Sequence, residues 1–142
     1  MPALAFLPTI DSQNPWVAQV RLAATPFVIS APQQGVRWVT HVCGELAKTA
    51  EPLVLIFDGE SSVHSPAVGF SRKSLRRPAI GYVLIDPVLP TVGGEYGDWP
   101  DAPVTVIITQ PDTDRARETN LQARLRGWKI TNDSVQSVLN TF

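Results

Sequence analysis

Cysteine is almost missing from this chain. Cys43 is the single one among 142 residues, which excludes an internal disulfide and a cysteine-rich zinc site and fits a reducing compartment. Histidine is also scarce, with only His41 and His64, so imidazole-based proton transfer has just two residues to draw on. No excess charge of either sign exists: 12 Lys and Arg stand against 13 Asp and Glu, with no run of like charge to grip nucleic acid or an anionic membrane. Pro8, Asp11 and Asn14 break the N-terminal apolar run early, no basic segment precedes it, and no apolar stretch is long enough to span a bilayer. The expectation is a soluble, cytoplasmic protein with no nucleic-acid or membrane partner, no metal and no cofactor.

Apolar material is plentiful. Hydrophobic residues make up 44% of the sequence, enough for a core, and the length fits one domain over residues 1–142. Internal repeats and low-complexity tracts are absent. Residues 52–85 set the class. Leu53 to Phe57 form an apolar run that meets a polar turn (Asp58, Gly59, Glu60, Ser61, Ser62), a helix opened by Pro66, and a second apolar run from Ile80 to Ile85. Continuous apolar strands joined by a helix mark a parallel sheet covered on both faces.

The same alternation runs through the rest. Ala3 to Leu7 predicts a first strand, followed by a polar loop at Thr9 to Asn14. Pro15 predicts the start of a helix with Trp16, Val17, Val20 and Ala24 inward, and Phe27 to Ile29 a second strand. Val36, Val39, Cys43, Leu46 and Ala50 fall at helical spacing, which makes Cys43 a packing residue. A Pro- and Gly-rich loop spans Asp86 to Pro103 and carries Tyr96 and Trp99. Val104 to Ile108 predicts a strand, Asp112 or Asp114 the cap of a helix over 115–126, and Gly127 its end. Trp128 to Ile130 predicts an edge strand, and Val135, Val138, Leu139 and Phe142 a final helix. The architecture expected is a three-layer α/β sandwich on a mainly parallel sheet of about six strands.

Ligands of parallel sheets sit where strands end at their carboxyl edge. Polar residues at strand exits are Asp58, Glu60, Ser61, Ser62 and His64, then Asp86, then Asp112 and Asp114. A hydrolase needs a hydroxyl on a tight strand-to-helix turn, an imidazole to take its proton and a carboxylate to orient the imidazole. Gly59, Glu60 and Ser61 supply half of a G-x-S-x-G turn, with Val63 where the second glycine belongs. Ser61 and Ser62 are better suited to turn and capping bonds than to nucleophilic attack, and His64 to a solvent-facing turn than to a base. Asp58, at the exit of a buried strand, is the charge most in need of a purpose.

Over nearly the whole chain this arrangement resembles the α/β-hydrolase family, in particular its small bacterial members. The resemblance rests on Pro52 to Ile56 running into the turn, Pro66-Ala67-Val68-Gly69 after it, LRRPAIGYVLIDPVLP from Leu75 to Pro90, PVTVIITQPDTD from Pro103 to Asp114, and the Gly127-Trp128 pair. It implies a truncated α/β-hydrolase-like fold. Aligned without gaps, Gly59 falls at the nucleophile position, whereas a two-residue shift places Ser61 there. The acid position falls to Asp112 or Asp114, and Thr131 to Ser134, where the family carries its histidine, hold none.

The resulting expectation is a non-hydrolytic relative that binds a small molecule or peptide, with a biosynthetic intermediate as the guess by analogy. Asp58, Ser61, His64 and Asp112 are the candidate catalytic groups, and Glu60, Ser62, Asp86, Tyr96 and Trp99 the candidate ligand contacts. Acid–base chemistry such as cyclisation or epimerisation would fall to Asp58, Glu60 or His64. Two alternatives stand beside it: a serine hydrolase or acyltransferase using Ser61, and an interaction module partnering a full-length relative. Exposed edge strands make a homodimer possible.

Overall fold

The computed structural model describes residues 3–8, 26–29, 31–49, 52–90 and 99–142. In chain order they form β1 (Ala3–Phe6), β2 (Pro26–Val28), α1 (Trp38–Leu46), β3 (Leu53–Asp58), a 3-10 turn (Gly59–His64), α2 (Ser65–Ser74), β4 (Gly81–Ile85), β5 (Val104–Ile107), α3 (Asp114–Leu125), β6 (Lys129–Thr131) and α4 (Val135–Leu139). The strands build one six-stranded sheet in the order β2-β1-β3-β4-β5-β6. Every pairing is parallel. The expected loop and helix over Thr9 to Ala24, together with Ala50 and Tyr96, lie outside the described residues.

Side-chain alternation sorts the apolar strands between two cores. Leu53, Leu55 and Phe57 join Tyr82, Leu84, Val104 and Val106 under α1, α2 and α3. Val54 and Ile56 join Val83, Ile85 and Ile107 under α4, with Phe142 against them. Helices thus cover both faces, and all six residues of β3 are buried. Complete burial explains the unbroken apolar run, since no side of the strand meets water.

Several boundaries differ from expectation. Val36 and Ile80 are 47% and 46% exposed, because α1 begins only at Trp38 and β4 only at Gly81. The cap of α3 is Thr113, which has extended backbone and accepts from the Ala116 N–H. Asp112 and Asp114 do not cap. Asp114 is the first helical residue, where it pairs with Arg117 at 2.6 Å. Gly127 ends the helix with φ +72°, the left-handed conformation that glycine adopts without steric cost.

Two polar contacts, one buried between helices and one part-buried beside β4, fix neighbouring segments. Arg72 of α2, 1% exposed, donates from Nη1 to the carbonyl oxygens of Leu46 (2.8 Å) and Thr49 (3.3 Å). It satisfies carbonyls that the end of α1 leaves without helical partners. On β4, Tyr82 donates to Asp101 at 2.6 Å, and Trp99 stands edge-on to both Tyr82 and Trp128. Burial, reinforced by the hydrogen bond and charge of Asp101, pushes the Tyr82 phenol well above its ordinary pKa.

Candidate functional site

The register lines up the carboxyl ends of the strands in one row, Asp58 beside Ile85, Ile85 beside Ile107, and Ile107 beside Thr131. Whatever follows those residues shares one edge of the sheet. At β3 the chain turns sharply at Gly59, whose φ is +52°, and enters the 3-10 turn. Any side chain at this position would be strained, which is why glycine stands there.

Ser61 and Ser62 are both fully buried. The Ser61 hydroxyl accepts from the Asp58 N–H (3.1 Å) and donates to the Asp58 carbonyl (2.8 Å), so its proton is held by the backbone. Asp58, 3% exposed, and Ser61 close a capping box over the turn. The Ser62 carbonyl accepts from the Ser65 hydroxyl at 2.7 Å, while the Ser62 hydroxyl has no hydrogen-bond partner among the described residues. Val88 N–H donates to the Gly59 carbonyl at 3.0 Å. That bond brings the segment after β4 against the turn. Glu60 is exposed.

His64 forms no hydrogen bond with either serine. Its ring stacks on Trp38, with centroids 5.2 Å apart and planes 28° from parallel, and the Trp38 indole N–H donates to the Pro8 carbonyl at 3.1 Å. The pair therefore sits at the exits of β1 and β3, where the strand order changes direction. Burial lowers the His64 pKa below its ordinary 6.5, which keeps the imidazole neutral near pH 7. A neutral imidazole can accept a proton, but Ser61 already donates its own elsewhere.

Asp86 follows β4 with φ +42°. Its carboxylate accepts from the Thr109 N–H at 2.8 Å and, in a short bond, from the Thr109 hydroxyl. It ties the β4 exit to the β5 exit. Asp112 is exposed, and its carbonyl accepts from Arg117. Neither Asp112 nor Asp114 is bonded to an imidazole. Trp99 packs with Tyr82, four residues upstream of Asp86 and so about 13 Å back along the strand. It lines neither of the cavities described next.

Two cavities open at the carboxyl edge, on either side of Ile108. The smaller, about 160 Å³, lies between the β4 exit and the start of α3, with Asp86, Gln110, Thr113 and Arg115 around it. The larger, about 430 Å³, lies between α3 and the β6 exit, with Asn120 and Arg124 on one wall, Ile130, Thr131 and Asn132 on the other, and Pro111 at its end. Among the described residues, Asp86 is thus the only sequence-predicted site residue that lines either one.

Asn120, Arg124, Ile130 and Asn132 were not anticipated. The signal was present: Asn120 and Arg124 are four apart on a helix and share a face, and Asn132 directly follows a strand. Among the described residues no three His, Cys, Asp or Glu side chains gather as a metal site, and no helix is long and apolar enough to cross a membrane. Comparison with family models, with curated proteins and with solved structures found no match to this chain.

Proposed function

We propose that this chain is a non-hydrolytic protein of α/β-hydrolase-like fold that binds a small organic ligand at the carboxyl edge of β4, β5 and β6. One observation carries the reading. The sharp turn that would present a nucleophile holds Gly59, while the nearest serine, Ser61, is fully buried with its hydroxyl bonded to Asp58 backbone on both sides. Nucleophilic catalysis needs a hydroxyl that is exposed and hydrogen-bonded to a base. Ser61 meets neither condition.

The cavities supply the binding half. The larger falls in the size range of small-molecule sites, and it combines the apolar surface of Ile108, Pro111 and Ile130 with the polar side chains of Asn120, Arg124, Thr131 and Asn132. It opens at the carboxyl edge of the parallel sheet, the edge on which such folds take ligands, though two strands away from the β1–β3 switch point. A fluorine-detected screen of small organic fragments, followed by mapping of backbone amide shifts, tests the proposal. Binders are expected to perturb Ile108 and Thr131. Binders that map only to Asp58 to His64, or steady ester turnover lost in Ser61→Ala, would contradict it.

A further inference from the structure

Resting on the ligand-binding reading just given, we infer that the larger cavity recognises an organic carboxylate, an anionic head joined to a compact apolar body. Arg124, Asn120 and Asn132 line this cavity together, Arg124 and Asn132 at exposed positions, and among the described residues none of the three side chains has a hydrogen-bond partner. No carboxylate lines the space, so the positive charge of Arg124 has no counter-ion there. Two surface arginines nearby differ in this respect: Arg117 pairs with Asp114, and Arg126 donates to the Pro90 carbonyl.

A guanidinium presents parallel N–H donors that match both oxygens of a carboxylate, and the carboxamides of Asn120 and Asn132 in the same lining offer further donors. The opposite requirement comes from Ile108, Ile130 and Pro111, which offer carbon surface and nothing to bond. A bare inorganic anion would leave that surface in water. An organic acid covers it, and at about 430 Å³ the space admits a ring or a short branched chain.

Amide-detected NMR titration of the full chain with phenylacetate, phenylacetamide and inorganic phosphate separates the possibilities. Phenylacetate is expected to move the side-chain amides of Asn120 and Asn132 and the backbone amides of Ile130 and Thr131 in a saturable way. Phenylacetamide should bind about tenfold more weakly or worse, the loss of one charge-assisted contact. Arg124→Gln, at an exposed position, should weaken phenylacetate by a similar factor while leaving the spectrum of the free protein unchanged elsewhere. Equal binding of acid and amide in the same cavity overturns the carboxylate assignment and leaves the ligand cleft standing. Phosphate matching phenylacetate, or an unchanged affinity in Arg124→Gln, also overturns it. Absence of any saturable shift with both organic probes removes the inference, and a fragment screen that finds no binder at Ile108 or Thr131 removes the cleft as well.

Discussion

Single residues at the β3 exit show how a reactive-looking sequence is taken up by local hydrogen bonds and stacking. Asp58, Ser61, Ser62 and His64 lie within seven positions, yet each is engaged differently: a cap, a backbone-bonded hydroxyl, a buried turn and a ring stack. His64 offers the clearest test at this scale. Because its pKa is lowered in the folded chain, the unfolded state binds more protons below pH 6.5, and stability falls as pH drops through that value. Replacing His64 by Phe keeps a ring against Trp38 and removes the titration. Thermal melts between pH 8 and pH 5 should therefore show a flatter stability profile in His64→Phe than in the parent, and parallel profiles would show that His64 is not the source.

Elements depend on two close approaches. Gly69 of α2 passes so near β4 that a Cβ there would lie 2.2 Å from the Tyr82 hydroxyl oxygen and 3.1 Å from Trp99. Gly69→Ala is expected to cost about 1–3 kcal/mol by overpacking, and Tyr82→Phe in the same chain should recover part of that loss, because the hydroxyl that collides is gone. Additive losses in the double variant, measured by urea denaturation, would place the collision elsewhere. Arg72→Met retains much of the side-chain length but removes the buried donor to the carbonyls of Leu46 and Thr49, which keep only the Thr49 N–H and the longer Arg77 contact among the bonds described. A loss of about 2–3 kcal/mol is expected, read by the same denaturation experiment.

Element type was legible wherever burial was complete, as in β3 and β4, since apolar continuity has few other causes. Element ends were less so. Thr113 outcompeted two aspartates for the α3 cap because its backbone, and not theirs, is extended at the right place. The cavity wall of Asn120 and Arg124 is not marked by a strand exit, because those residues belong to the helix that returns over the edge.

At the scale of the whole molecule, the parallel sheet brings four strand exits into one row and two cavities beside them. Fold class could be read from the sequence because the strand–helix alternation spans its length. The site could not, since it depends on which exits the register aligns and which side chains the fold leaves without partners. On the proposed reading, a chain built this way would bind at that edge while holding Ser61 under the turn.

Intact-mass measurement after exposure to a fluorophosphonate that labels activated serines puts that claim to the most direct test. Native protein is expected to remain unmodified through an incubation that saturates an ordinary serine hydrolase. A stoichiometric adduct mapped to Ser61, and abolished in Ser61→Ala, would contradict the account.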